Sequence, residues 1–182
     1  MVSMESIAPI VADTSRLDAA WRALGGVADP EIPVVSIVEL GIVRDVALRD
    51  GKIVVTVTPT YSGCPATEVI AADIARALAA AGEGDCHIET VLSPPWTTDW
   101  IATAAKKRLA EYGIAPPGRR AAEASRTVDI RGLQRRTPDA KVTCPRCGSS
   151  TTREQSRYGS TPCKAQYRCD DCLEPFDYFK PH

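Results

Sequence analysis

Hydrophobic residues in the first 114 positions recur with two different periods. Ile70 and Ile74 lie about one helical turn apart, which predicts an amphipathic helix. Apolar residues predominate in 42–48 and β-branched residues fill 53–58, and the Asp50-Gly51 pair between them is typical of a tight hairpin. The predicted elements are, in order, a helix from near Ser15 to Gly25-Gly26, strands over 42–48 and 53–58, a helix over 65–81, a strand over 87–92 and a helix from Thr97 or Thr98 to Gly113. This order predicts an α/β (α+β) domain over 1–114, with helices on one face of a small mixed sheet.

Residues 115–140 show no apolar period and are rich in proline, glycine and arginine, so they are predicted to form a linker. The net charge of −1 conceals an uneven distribution along the chain. Residues 1–114 hold 9 basic and 15 acidic side chains, whereas 115–143 hold 7 and 3. The basic stretch raises a nucleic-acid-binding alternative. However, no aromatic residues alternate with its arginines and the preceding domain is acidic, which argues against a nucleic-acid partner.

The composition is that of an ordinary globular chain, with 44% hydrophobic and 25% charged residues. No apolar run is long enough for a membrane span, and the N-terminus lacks the basic stretch that opens a secretory signal. We therefore expect no membrane association and a cytoplasmic location. The chain has only two histidines, which excludes catalysis built on several imidazoles.

Four of the seven cysteines form a C-x2-C-x21-C-x2-C pattern in the predicted C-terminal domain, 141–182. These four are Cys144, Cys147, Cys169 and Cys172. Two thiolates at a tight turn bind one ion and a second such turn completes a tetrahedron, so the pattern predicts a structural zinc ribbon with a β-hairpin between the turns. A rubredoxin-like iron site would use the same ligands. Gly148 is expected to provide the positive φ that such a turn needs, whereas Leu173 is not.

Cys64 stands apart from these four. It precedes Pro65, a preferred first residue of a helix, so it is predicted to lie at a helix N-terminus. The positive end of the helix dipole favours a thiolate, which suits a nucleophile or a labile metal or cluster ligand. A buried cysteine packed as a small hydrophobe is the alternative. No general base stands near Cys64 in the sequence, which argues against an independent enzyme, and no catalytic residue is assigned.

Two further cysteines and a histidine complete the candidate ligands. Cys86 precedes a β-rich run and is predicted to pack in the core, with the adjacent His87 as an additional candidate ligand. Cys163 lies six residues before Cys169 and could replace a ribbon ligand. Because one ion needs only four ligands, packing within the hairpin is the favoured role for Cys163.

Several stretches of sequence carry a resemblance to a known family. In the first domain they are Asp29-Pro30-Glu31-Ile32, TYSGCPA at 60–66 and PPWTTDWI at 94–101. This domain resembles the SufT-like domain of iron-sulfur assembly factors. Together with CPRCGS, CKAQYRC and EPFDYFKPH in the tail, the chain resembles the PaaD (PaaJ) family, small subunits encoded with the phenylacetyl-CoA ring epoxidase.

The resemblance implies an accessory factor, not an enzyme, that matures a metal centre of the multicomponent phenylacetyl-CoA oxygenase in aerobic phenylacetate degradation. The iron-sulfur reductase component is the implied client. By position, Cys64 corresponds to the family's cysteine, Asp29 and Glu31 to its acidic pair, and the four ribbon cysteines to its zinc ligands. Pro162 departs from the small residue expected there and, because proline has no backbone donor, counts against a ligand role for Cys163.

A single thiolate cannot hold tightly a cluster that needs four ligands. Cys64 would therefore bind an iron-sulfur cluster transiently, with a second chain, a client or a small thiol completing the coordination. The first of these leaves a homodimer open. In the alternative role the protein is a non-catalytic adaptor subunit, whose ribbon docks on the oxygenase and whose Cys64 is structural.

Overall fold

A computed structural model of the chain describes residues 7–61, 63–118 and 142–182, with side chains in the first helix from residue 13 onward. The chain forms two compact units, one ending at Ala105 and the other running from Lys106 to His182. The elements are α1 (Ile7–Gly25), β1 (Val43–Arg49), β2 (Lys52–Val57), α2 (Thr67–Ala80), β3 (Cys86–Thr90), a 3-10 helix (Thr98–Trp100), α3 (Thr103–Tyr112), β4 (Ile114–Ala115), β5 (Thr152–Ser156), β6 (Lys164–Cys169) and β7 (Pro175–Phe179). No helix within the described ranges combines the length and the apolar character needed to cross a membrane.

The first unit is built on a three-stranded mixed sheet in the order β1-β2-β3. β1 and β2 form the predicted antiparallel hairpin, whereas β3 runs parallel to β2. β2 is the central strand, and its Ile53 and Val55 are completely buried. α1 contacts both α2 and β1, and α2 contacts β3, so the two helices lie on one face of the sheet. The predicted fold class is confirmed.

The first and the last of the three predicted helices differ most from those observed. α1 begins at Ile7, well before the predicted start near Ser15. The predicted helix from Thr97 or Thr98 to Gly113 is wrong as a single element, because Ile101 is extended and separates the 3-10 helix from α3. The amide of Ala102 donates instead to the carbonyl of Glu39, at 2.9 Å. This tertiary hydrogen bond replaces a helical one and separates the 3-10 helix from α3.

The loop before β1 is packed closely against the segment after β3. Gly41 has a φ of +71°, and a Cβ on it would lie 2.6 Å from the Cβ of Trp100. The Arg44 guanidinium stacks over the Trp100 ring at 3.4 Å from its centroid. The indole nitrogen of Trp96 donates to the carbonyl of Leu40, at 3.0 Å. The close approach of Trp100 leaves no room for a side chain on Gly41.

The second unit contains a four-stranded sheet in the order β4-β7-β6-β5. The antiparallel β5 and β6 are the hairpin predicted between the two cysteine pairs. One apolar cluster supports this sheet and is called the ribbon core below; its buried members are Ala115, Val142, Cys144, Ala165, Cys169, Phe176 and Tyr178. Most of the predicted linker, from residue 119 on, lies outside the described residues, and the predicted domain boundaries at 114 and 140 stay a prediction.

We expect Gly41→Ala to destabilise the first unit more than Gly51→Ala does. Gly51 also has a positive φ, +76°, but a Cβ on it would meet nothing within 4 Å. Gly51→Ala should therefore cost only the left-handed backbone penalty, about 1–2 kcal/mol, whereas overpacking against Trp100 should add about 1–3 kcal/mol in Gly41→Ala. Urea unfolding followed by tryptophan fluorescence measures both, because Trp21, Trp96 and Trp100 all lie in the first unit. Equal losses in the two variants would contradict the close approach.

Candidate metal centre and thiol site

The four ribbon cysteines converge on one point. Cys144 and Cys147 lie in the turn before β5, and Cys169 and Cys172 flank the turn between β6 and β7. Their four sulfurs all lie within 4.8 Å of one another, with Cys144 Sγ 3.8 Å from Cys172 Sγ and Cys147 Sγ 3.6 Å from Cys169 Sγ. A tetrahedral zinc with bonds of about 2.3 Å places its sulfurs about 3.8 Å apart. The donor set and its spacing therefore fit a closed tetrahedral metal centre.

Backbone amides support these sulfurs. The amides of Cys172 and Asp171 hydrogen-bond to the Cys169 sulfur, the Cys172 amide having the larger effect. Together with the side chains of Cys147 and Cys172 they lower the pKa of Cys169 to about 7. Gly148 has the expected positive φ, +78°. Leu173 also has a positive φ, +64°, so the expectation that it would not was wrong. The Glu174 amide, just after Leu173, bonds to the Cys172 sulfur, and this turn geometry outweighs the steric cost of the leucine Cβ.

Cys163 lies outside this cluster of sulfurs. Its side chain is buried just before β6, and its sulfur is 3.0 Å from the hydroxyl of Thr161. Among the residues that the structure describes, the four ribbon cysteines are the only group of three or more ligand atoms close enough to share a metal ion. The structure therefore places Cys163 in the hairpin, apart from the candidate metal centre.

Cys64 lies in the loop between β2 and α2, where it is half-buried. Its amide donates to the carbonyl of Tyr61, and its carbonyl accepts from the amide and hydroxyl of Thr67, at 3.2 and 2.8 Å. These bonds close a turn over 64–67, so α2 begins at Thr67 and not at Pro65 as predicted. Cys64 still precedes the helix N-terminus, but by three residues.

Strand directions bring the predicted acidic pair to the thiol. β2 and β1 are antiparallel, so the end of β2 and the loop that leads into β1 lie at the same end of the sheet. Asp29 is buried in that loop, where its Oδ1 accepts from the amides of Glu31 and Ile32, at 2.9 and 2.8 Å. Asp29 thereby holds the turn that carries the half-buried Glu31. Both carboxylates act electrostatically on Cys64.

The thiol of Cys64 is less acidic than the helix-terminus argument predicted. Burial is the largest influence and raises its pKa, and the negative charges of Glu31 and Asp29 raise it further. Hydrogen bonds from the Ala66 amide and the Thr67 hydroxyl act in the opposite direction. Burial and the acidic pair outweigh these two bonds, so the pKa of Cys64 is raised from its ordinary value, the direction opposite to that expected from the helix terminus. Sequence reasoning missed Thr67; its position three residues after Cys64, at the start of a helix, was the available signal.

His87 and Cys86 are placed away from this loop. Both lie at the start of β3, at the end of the sheet opposite to the carboxyl end of β2, because β2 and β3 are parallel. His87 is exposed and is paired in register with Val54. Cys86 is half-buried, and burial raises its pKa. The hydrogen bonds and ion pairs described for this part of the chain do not join His87 to Cys64.

Comparisons with known proteins agree with this two-part architecture. Residues 17–90 match the family described as iron-sulfur cluster assembly protein, and residues 130–180 match the PaaD zinc beta ribbon domain. An Escherichia coli K12 protein, provisionally named as one of the subunits of 1,2-phenylacetyl-CoA epoxidase, is 45% identical over 160 residues, which cover 88% of this chain and 90% of that one. The chain belongs to the PaaD family. The resemblance stated from the sequence is thereby confirmed.

The first unit of this PaaD family member has further relatives of its own. The Fe-S protein maturation auxiliary factor YitW of Bacillus subtilis 168 is 42% identical over 89 residues, covering 48% of this chain and 86% of that protein. The crystal structure of a domain of unknown function, DUF59, from Bacillus anthracis superposes with a TM-score of 0.51 at 29% identity, covering 55% of this chain and 96% of that one. The first unit therefore has the fold of a free-standing domain.

Replacing Cys169 is expected to remove the metal, whereas replacing Cys163 is not. Cys169→Ser removes one of four converging ligands, and Cys163→Ser changes a buried cysteine outside the group. Metal content after dialysis against a weak chelator checks this, with far-ultraviolet circular dichroism to detect unfolding of either variant. Equal retention of metal by the two variants would contradict the assigned ligand set.

Replacing Glu31 with glutamine is expected to lower the pKa of Cys64 and speed its alkylation near neutral pH. The variant removes a negative charge that raises this pKa, and the thiolate fraction grows about tenfold for each unit of decrease. The rate of iodoacetamide modification of the Cys64 peptide, followed by mass spectrometry as a function of pH, gives the pKa directly. Asp85→Asn, a matched change at the opposite end of the sheet, should leave the dependence of the modification rate on pH unchanged. An unchanged pH dependence in Glu31→Gln would refute the electrostatic effect of Glu31 on Cys64.

Proposed function

We propose that this protein is an accessory factor that takes up an iron-sulfur cluster, or its iron, at Cys64 and passes it to a component of a phenylacetyl-CoA epoxidase. One observation carries the proposal: the chain combines a thiol near two carboxylates, Cys64, with a separate group of four converging cysteines in the ribbon. The first unit belongs with iron-sulfur assembly proteins, and the E. coli relative is named as an epoxidase subunit. The iron-sulfur reductase of such a system is the proposed client.

The acidic surroundings of Cys64 suit a cationic cargo. Asp29 and Glu31 disfavour the thiolate, but their negative charges attract iron to the same place. When the sulfur bonds to iron, the thiol proton leaves to solvent, and the positive charge of the iron offsets the two nearby negative charges. When a client thiolate displaces Cys64, the sulfur regains a proton. Uptake and release are thus both exchanges between a proton and a metal.

Cys64 supplies one of the ligands that a cluster needs, so the remainder must come from elsewhere. Within the described residues, its neighbouring carboxylates do not form with it a group tight enough to share one ion. A second copy of the chain, a small thiol or the client supplies the missing ligands in this proposal. Such incomplete coordination favours transfer over storage.

The ribbon has the complementary role. Its four converging sulfurs leave no open position on a tetrahedral ion, so the bound metal is proposed to be a structural zinc and not the cargo. Zinc in such small domains supplies about 10–16 kcal/mol of binding energy to folding. The ribbon is therefore proposed as a stable module of the accessory factor, with the exchange chemistry confined to the first unit.

One observation favours a second candidate function, the non-catalytic adaptor. A half-buried thiol with a raised pKa is what a structural cysteine would show as well. An adaptor would bind the oxygenase whether or not Cys64 carried a sulfur. A single substitution at Cys64 therefore distinguishes the two functions.

We expect Cys64→Ser to keep its fold and ribbon metal but fail to restore active epoxidase in cells that lack the native protein. Cys86→Ser is the matched control, since it removes another half-buried thiol of the first unit at the opposite end of the sheet, and it should restore activity. The measurements are epoxidase turnover and the iron and acid-labile sulfide content of its reductase. Full restoration by Cys64→Ser would reject the carrier and favour the adaptor.

A further inference from the structure

The segment over 113–118 lies outside both family matches, which cover 17–90 and 130–180. The structure nevertheless gives it a place in the ribbon. Ile114 and Ala115 form β4, which pairs in parallel with β7, Ile114 opposite Asp177 and Ala115 opposite Tyr178. This short strand is the edge of the ribbon sheet next to β7.

Ala115 belongs to the ribbon core together with two of the metal ligands. It is 1% exposed and shares one apolar cluster with Cys144 and Cys169. Pro117, two residues further on, is also buried. A two-residue strand has too few hydrogen bonds to persist alone, so its position depends on this burial.

Both ends of the segment are also held by ribbon residues. Gly113 has a φ of +99°, and the position of a Cβ on it is 3.2 Å from the guanidinium of Arg146, which lies between the first two ligands in sequence. At the other end, the amide of Gly118 hydrogen-bonds to the hydroxyl of Tyr178. The backbone at Gly113 therefore lies close to the side chain of Arg146, and its positive φ favours glycine there.

The chain returns to the same core at Val142. This residue is buried in the ribbon core beside Ala115, and its carbonyl accepts from the hydroxyl of Thr152, at 2.6 Å. The residues that precede and follow 119–141 are thus anchored in a single apolar cluster, and the boundary between the two compact units falls earlier, between Ala105 and Lys106.

We infer that the metal-dependent unit of this protein includes residues 113–118, so that metal at the four cysteines holds β4 in place. Residues 113–118 then belong with the ribbon strands, although 115–118 fall in the predicted linker. Loss of the metal frees Cys144 and Cys169 from their cross-link, the ribbon core loosens, and β4 detaches.

Hydrogen exchange on the full chain, with and without its metal, tests the inference. We expect the amides of Ile114, Ala115 and Gly118 to be protected in the metal-bound protein and to exchange much faster after chelation; the prolines at 116 and 117 have no amide. The amides of α2 serve as the internal control and should be unaffected. Protection at 114–118 that survives complete metal removal would overturn the inference, since the segment would then depend on the first unit.

A matched pair of variants provides a second, independent readout. Ala115→Asp places a charge in the ribbon core, whereas Ala104→Asp makes the same change at an exposed position of α3. We expect Ala115→Asp to release its metal to a chromophoric chelator at least several times faster than Ala104→Asp does. Indistinguishable release rates would show that residue 115 is not part of the metal-dependent unit, even if the ribbon itself unfolds on chelation.

Discussion

The parallel pairing of β2 with β3 is the constraint on which the first unit depends. Parallel neighbours cannot be joined by a hairpin, so the chain must return through a crossover, and α2 is that crossover. The loop that leaves β2 toward α2 carries Cys64. Because β1 is antiparallel to β2, the turn held by Asp29 enters the sheet at the same end. The thiol and its acidic neighbours meet through strand direction, although more than thirty positions separate them in the sequence.

The electrostatic state of the thiol follows from this placement. A neutral sulfhydryl is a poor nucleophile and is slow to oxidise, since both reactions proceed through the thiolate. Burial and two carboxylates raise the pKa of Cys64, while the hydrogen bond from the Ala66 amide to its sulfur acts in the opposite direction. In the proposed function, the approach of positively charged iron favours loss of the thiol proton. That behaviour suits a protein that receives a metal cargo from another protein.

The two sulfur sites of the chain have opposite properties for a physical reason. In the ribbon, four sulfurs converge, amides support them, and two of the ligands are themselves part of the apolar core. Metal binding and folding are therefore one event there. Cys64 lies at the surface of a unit whose core, centred on the buried Ile53 and Val55 of β2, is complete without any metal. The first arrangement fits retention of an ion, and in the proposed function the second releases one.

Several features of this protein could be predicted from local periodicity and spacing. Three such features have their predicted form, and each depends on residues that are close together in the sequence. They are the apolar face of α2, the β1–β2 hairpin at Asp50-Gly51 and the C-x2-C pairs. Tertiary structure decided the features in which distant groups compete. The amide of Ala102 donates to the carbonyl of Glu39, and this bond divides a predicted helix. Ala115, at the start of the predicted linker, packs in the ribbon core. At Cys64, burial and the charge of Glu31 raise the pKa, whereas the nearby helix terminus was expected to lower it. Burial and charge–charge interactions depend on which parts of the chain lie close together in space, and a local sequence pattern does not contain that information.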